Sequence, residues 1–174
     1  ILTGGIDLSL GSIVALSNVV CVVLMKPDSP TGYILPVIVA LIVGLASGVL
    51  NGLVITQGRL APIIVTLATD NIFSGAALYL MPKPGGAVHR AFGKFVTRGL
   101  DGAIPLILFL IIFFVIRLLT NRTSYGRALR AIGGNENAAF STGIKVSRVK
   151  FLAYAIAGIL CAVAGIFLSA QMNS

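Results

Sequence analysis

Five long apolar stretches, at about 8–25, 33–57, 60–81, 103–120 and 151–170, are separated by connections that hold twelve of the thirteen Lys and Arg residues. None of the stretches alternates polar and apolar positions at period two, which excludes the strands of a membrane barrel. Each is close to the roughly 20 apolar residues a helix needs to cross a hydrocarbon core about 30 Å thick. A helix is the remaining way to satisfy every backbone group at that depth. Pro36, Pro62 and Pro105 stand in the first turn or so of their stretches, where a proline costs a helix least. Pro27, Pro30, Pro82 and Pro84 punctuate the connections. The pattern predicts an all-α polytopic membrane protein: a partial transmembrane domain over 1–174 with five spans and a long connection at 121–150.

Composition sharpens this. Apolar and aromatic residues make up 57% of the 174-residue chain and charged residues only 10%, against about 25% charged in an average soluble domain. So few charges cannot cover a water-exposed surface, which excludes a soluble monomer, a disordered chain and a basic nucleic-acid-binding domain. The net charge of +8 then acquires meaning from its placement. With spans alternating sides, Lys26, Lys83, Arg90, Lys94 and Arg98 fall on one face. Arg59, Arg117, Arg122, Arg127, Arg130, Lys145, Arg148 and Lys150 fall on the other. Eight against five puts 121–150 in the cytoplasm, because cytoplasmic loops carry the excess of cations. The opening Ile1-Leu2-Thr3 has no basic region of a signal peptide, and the chain ends at Asn173-Ser174 directly after an apolar run. Both ends are expected to be cut from a longer chain. Cys21 and Cys161 lie inside apolar runs, which speaks against a disulfide framework, and His89, without a nearby His or Cys, is expected to be a solvated loop residue.

Small residues recur every fourth position in two spans: Ala40, Gly44, Gly48 and Gly52, and again Ala153, Ala157, Cys161, Gly165 and Ser169. Such ridges let helix backbones approach closely, so a compact bundle is expected. No catalytic constellation accompanies them. There is no GxSxG, no HExxH and no GxxxxGK[ST] phosphate loop, so an ATP-driven function requires a separate ATPase chain.

Polar groups at membrane depth are costly and mark function by default. Three places qualify. In Thr3-Gly4-Gly5-Ile6-Asp7-Leu8-Ser9-Leu10-Gly11-Ser12 the glycines weaken a helix arriving from upstream, and Asp7 or Ser9 could cap the one that follows. The segment reads either as a capping box of a broken helix or as a polar break lining a transport cavity. In the third span Thr66, Asp70 and Ser74 share one helical face with Asn71 beside them; Asn51 is the other intramembrane amide. A mid-bilayer carboxylate costs about 2.5–3.5 kcal/mol, so this face is expected to avoid lipid, as part of a substrate pathway or as an interhelical hydrogen bond. Within 121–150, Gly133, Gly134, Asn135, Glu136, Asn137, Ala138, Ala139 and Gly143 describe a short helix outside the membrane, with Asn135 as its cap and Gly143 as its stop. It reads as a helix on anionic headgroups or as a docking element.

The segments Ile1–Ser12 and Gly126–Ala139 with Gly143-Ile144, together with the Ala61-Pro62-Ile63-Ile64-Val65-Thr66-Leu67 opening of the third span, resemble the permease subunits of ribose/galactose-type sugar ABC importers. Branched-chain amino-acid permeases are similar in layout but match less well around Asp7. The resemblance implies an inner-membrane subunit of roughly ten helices that pairs with a second permease chain and receives a monosaccharide from a periplasmic sugar-binding protein. A cytoplasmic ABC ATPase would drive it; this chain would bind no cofactor, and ATP and magnesium would belong to the ATPase. The 133–143 loop would be the coupling helix. Two positions depart from the family. Asn137 stands where the loop usually has Glu before Ala-Ala, with Glu136 one residue earlier, and Asp70 and Ser74 replace residues that are commonly apolar and arginine. Asp70 therefore keeps open a different class, a proton- or cation-coupled secondary transporter. An intramembrane enzyme would lack a nucleophile–base pair.

Overall fold

The computed structural model describes residues 4–26, 29, 31–83, 85–86 and 88–171. The opening Ile1-Leu2-Thr3, the connection residues Pro27, Pro30 and Pro84, and Asn173-Ser174 lie outside the described residues. Among the described residues eight α-helices follow one another: α1 (Leu10–Leu24), α2 (Ile34–Gly58), α3 (Pro62–Leu80), α4 (Arg90–Arg98), α5 (Ile104–Arg122), α6 (Ser124–Gly134), α7 (Glu136–Ser141) and α8 (Val146–Gln171). A 3-10 turn, Gly99–Gly102, joins α4 to α5, and no strand occurs among the described residues. Helices α2, α3, α5 and α8 are long and apolar enough to cross a membrane. Helix α1 has 15 residues, about 22 Å at 1.5 Å per residue, and falls short of a full crossing.

Helix α8 is the axis of the bundle and packs against α2, α1, α4, α6 and α7. It runs antiparallel to α2 through the predicted small-residue face. Ala40, Gly44, Gly48 and Gly52 are all buried, and a Cβ placed on Gly44 would lie 2.6 Å from the carbonyl oxygen of Gly158. On α8 the ridge is not the predicted one. Gly158 and Ala162, with Tyr154 and Phe151 one and two turns earlier, face α2. The second half of the predicted series, Cys161, Gly165 and Ser169, turns to α1 instead. Ser169 Oγ donates to Cys21 Sγ at 3.6 Å. Helices in contact on two sides need two stripes, and a single period-four series describes only one.

The remaining helices are arranged around this axis. Ile13, Leu16 and Val20 of α1 form a buried cluster with Phe73 and Ala77 of α3 and with Cys161. Three residues connect α2 to α3, made possible by Arg59 in the left-handed region at φ 51°. No residue of α5 is buried; its neighbours are α4, α6 and the 3-10 turn. A helix that is apolar all round has its apolar surface covered either by lipid or by further protein.

Both long connections hold more structure than expected. Helix α4 covers one end of the bundle, where Phe92 stacks on Tyr33 at 5.7 Å. His89, expected in solvent, is buried there, its ring 5.4 Å from that of Tyr33 and its amide donating to Met25 Sδ at 3.1 Å. The sequence hides this because the apolar neighbours are contributed by α1 and α2. At the opposite end, 121–150 forms two helices, α6 and α7. Ile132, Ala139 and Val146 bury against one another to fix them on the start of α8, and the Tyr125 hydroxyl donates to Val149 O at 3.4 Å. Burial raises the Tyr125 pKa, so the phenol stays a donor at neutral pH.

Candidate functional site

Helix α1 begins inside the bundle. Gly165 of α8 lies against Val14, Ser17 and Asn18, and Ser169 against Cys21, so α1 runs parallel to α8. Extending that register places Leu10 level with the middle of α8, in a groove it lines with Ala157 and Leu160. The chain before it, Gly5 to Leu8, continues towards the α6–α7 end in non-helical form. A Cβ on Gly5 would lie 3.1 Å from the Tyr154 hydroxyl and 3.3 Å from Pro62 Cγ. Irregular backbone at membrane depth requires protein or water beside it, and here side chains of three helices supply the partners.

Ser9 is the centre of this arrangement. It occupies the N-cap position of α1 without capping it. Its backbone amide donates to Asp7 Oδ1 at 2.9 Å and its hydroxyl to the same oxygen at 2.7 Å. The hydroxyl in turn accepts from Asn51 Nδ2 at 2.8 Å. One residue back, the Leu8 amide donates to Thr66 Oγ1 at 3.1 Å. Asp7 thus supports the polar turn before the helix, and Asn51 of α2 and Thr66 of α3 clamp it from two sides. Ser9, Asn51 and Thr66 are fully buried. The Asn51 Oδ1 acceptor is buried without a hydrogen-bond partner among the described residues, and an unpaired buried acceptor carries a cost of about 1–3 kcal/mol. Of the polar side chains at this turn only Asp7 is partly exposed.

The other expected site residues are distributed differently. Asp70 and Ser74 are half-buried on the flank of α3 and join no hydrogen bond or ion pair among the described residues. Asn71 is exposed and donates Nδ2 to Leu67 O of its own helix at 2.9 Å. Tyr154 was not singled out by sequence; its only signal is a hydroxyl inside the apolar opening of α8. Among the described residues no group of three His, Cys, Asp or Glu could hold a metal ion.

At the α6–α7 end lies a second candidate surface. Gly133 and Gly134 close α6 rather than opening the next helix. Asn135 caps α7, its Oδ1 accepting from the Ala138 amide at 3.0 Å. The helix ends with Gly143 at φ 83°, its amide donating to Phe140 O at 3.0 Å and that of Ile144 to Ala139 O at 3.3 Å. That pair of bonds is the Schellman arrangement. Glu136 pairs with Lys150 of α8 at 2.7 Å, so it is committed inside the chain. Asn137 and Ala138 are exposed, and Phe140 is 72% exposed. Glu136, Asn137 and Phe140, with Thr56 of α2 and Arg59 and Leu60 of the α2–α3 turn, line a groove of about 670 Å³.

The family model described as branched-chain amino acid transport system / permease component matches residues 1–174. The chain belongs to that permease family. Over its whole length the permease chain is 41% identical to the ribose import permease protein RbsC of Bacillus subtilis (strain 168), covering 55% of that protein. It is 34% identical to the D-allose transport system permease protein AlsC of Escherichia coli (strain K12). It is 33% identical to the autoinducer 2 import system permease protein LsrD of Photorhabdus temperata, and it covers 54% of each of these two relatives. The chain spans about half the length of the curated relatives it matches. No solved structure matches it.

Proposed function

We propose that this permease chain is part of the membrane-spanning subunit of an ATP-driven importer for a monosaccharide of the ribose or allose type. The observation that carries the reading is similarity to ribose and allose permeases over every residue of the chain. The geometry is in keeping with it. The half-helix α1 sets Asp7, the partly exposed member of the polar turn, where its carboxylate would accept from sugar hydroxyls, while the buried Ser9, Asn51 and Thr66 hold the turn in place. Asp70, Asn71 and Ser74 would stand beside this path on α3. Helix α7, with exposed Asn137, Ala138 and Phe140, would dock on a cytoplasmic ATPase. A second permease chain and a periplasmic sugar-binding protein complete the assembly in the bacterial inner membrane.

The test uses the full-length protein in vesicles with its ATPase. Ribose uptake should require ATP. Asp70→Asn, which keeps size and one acceptor but cannot titrate, should lower uptake by about two- to fivefold, less than the loss of a good hydrogen bond to substrate, with an unchanged pH profile. Asp70→Leu should still insert, because the bilayer favours it. Uptake driven by a pH gradient without ATP, and abolished in Asp70→Asn, would replace the importer with a secondary transporter.

Orientation has its own check. With Cys21 and Cys161 replaced, Asn137→Cys should be shielded from an impermeant thiol reagent in intact cells, whereas Lys83→Cys should react. The reverse labelling would invert the topology and remove α7 from the reach of an ATPase.

A further inference from the structure

Asn51 brings an unmet hydrogen bond into the bundle. It is fully buried, its Nδ2 donates to Ser9 Oγ at 2.8 Å, and its Oδ1 has no partner among the described residues. An apolar side chain of similar size would fill the same space without a stranded acceptor. The direction of the Ser9 hydroxyl accounts for the amide. That hydroxyl has a single proton, and it goes to Asp7 Oδ1 at 2.7 Å. A carbonyl presented by Asn51 would compete with Asp7 for that proton. Whenever the carbonyl took it, the Ser9 oxygen would face the Asp7 carboxylate with no hydrogen between them. Presenting Nδ2 instead engages a lone pair of the Ser9 oxygen and leaves its proton to Asp7. The same orientation turns Oδ1 away, so the group that aims Ser9 is also the group that strands an acceptor.

Asp7 is fixed as a result. Its Oδ1 collects both the amide and the hydroxyl of Ser9, while its Oδ2 accepts no hydrogen bond among the described residues. Thr66 serves a different purpose, since it accepts from the Leu8 amide at 3.1 Å and so holds backbone rather than the carboxylate. We propose that Asn51 is a positioning residue for the solute: acting through Ser9, it commits Asp7 Oδ1 to the turn and leaves Oδ2 as the acceptor for a sugar hydroxyl. The role rests on the reading of this chain as part of a monosaccharide importer. Being buried, Asn51 works through Ser9 and does not touch the solute.

The experiment measures ATP-dependent ribose uptake by the full-length protein, with its ATPase and sugar-binding protein in vesicles, from mildly acidic to mildly alkaline pH. Asn51→Leu keeps the size and offers no donor. Its uptake should fall about three- to tenfold at every pH, with a thermal midpoint in detergent close to the parent's, because the stranded acceptor leaves together with the lost bond. Asn51→Asp carries the signature. As a carboxylic acid it donates to Ser9 as Nδ2 does, and as a carboxylate it draws the Ser9 proton away from Asp7. Its uptake relative to the parent at the same pH should approach one at the acid end and fall reversibly by about threefold or more towards the alkaline end. The ratio removes titrations that both proteins share. Ser9→Ala keeps the amide donor and removes the hydroxyl; Asn51→Leu added to it should lower uptake by less than about twofold further, since the path to Asp7 is already cut. A flat ratio for Asn51→Asp, or the full Asn51→Leu loss on top of Ser9→Ala, would overturn the proposal and leave the importer reading standing. Uptake losses that merely follow the thermal midpoints would make Asn51 a packing residue and overturn it as well. A parent without ATP-dependent ribose uptake would remove the importer reading itself, and the role of Asn51 with it.

Discussion

Gly158→Val should abolish recovery of a folded, monodisperse protein, or lower its unfolding midpoint further than any other single change in α8. A Cβ at this position falls on the carbonyl of Gly44 and within 2.9 Å of Gly48 Cα and 3.0 Å of Gly48 N. These are backbone atoms of α2, so no rotamer change relieves them and the helices must separate. Overpacking typically costs about 1–3 kcal/mol where side chains can shift; with a backbone on the other side the cost should be about 3 kcal/mol or more, a large part of a total stability of about 5–15 kcal/mol. Gly75→Val is the control. Its Cβ meets nothing within 4 Å, and the variant should differ from the parent by no more than about 0.5 kcal/mol. Size-exclusion profiles and thermal midpoints in detergent measure both. Normal folding of Gly158→Val would mean that the α2–α8 contact is not the centre of the bundle.

The second large effect is expected on coupling. Gly143→Val should reduce ATP-dependent uptake at least tenfold while the protein remains in the membrane. Gly143 holds φ 83° at the end of α7, a conformation that a β-branched residue adopts at a cost of about 1–3 kcal/mol; at about 1.4 kcal/mol per factor of ten, that is enough to depopulate the docked geometry. The residue lies outside the apolar bundle and a Cβ there meets nothing within 4 Å, so the loss would come from backbone shape rather than a clash. Gly134→Val, also without neighbours and without a positive φ, should retain most activity. Uptake and ATPase recruitment measured together on both variants check this. Full uptake by Gly143→Val would leave α7 a connector on lipid headgroups.

The features legible in the sequence are those set by local rules. Asn135 as cap and Gly143 as stop follow from chemistry within a few residues of each, and α7 runs Glu136–Ser141 between them. The long apolar helices follow from bilayer thickness, and the Gly44–Gly48–Gly52 stripe from the need of one helix to approach another. What was not legible depends on distant partners. Nothing near Ser9 announces that Asn51, 42 positions on, will donate to it, and nothing near Asp70 shows that Thr66 turns into the bundle while Asp70 stays on the flank. Helix α4 was missed because nine residues with three cations are too short and too charged to read as a membrane element. Its apolar face has a purpose only once Tyr33 is beside it.

The glycine contacts between α2 and α8 also bear on stiffness. Side chains at an ordinary helix interface act as a compliant layer, able to change rotamer and absorb a displacement of a fraction of an ångström. Where a carbonyl rests against a glycine there is nothing to rotate, and the two helices form a single spar. Helix α8, with 26 residues, extends about 39 Å from the α7 platform to α4, touching the polar turn at Tyr154 on the way. A displacement of α8 is therefore expected to carry α2 with it, since no side chain lies between Gly44 and Gly158 to take up the shift.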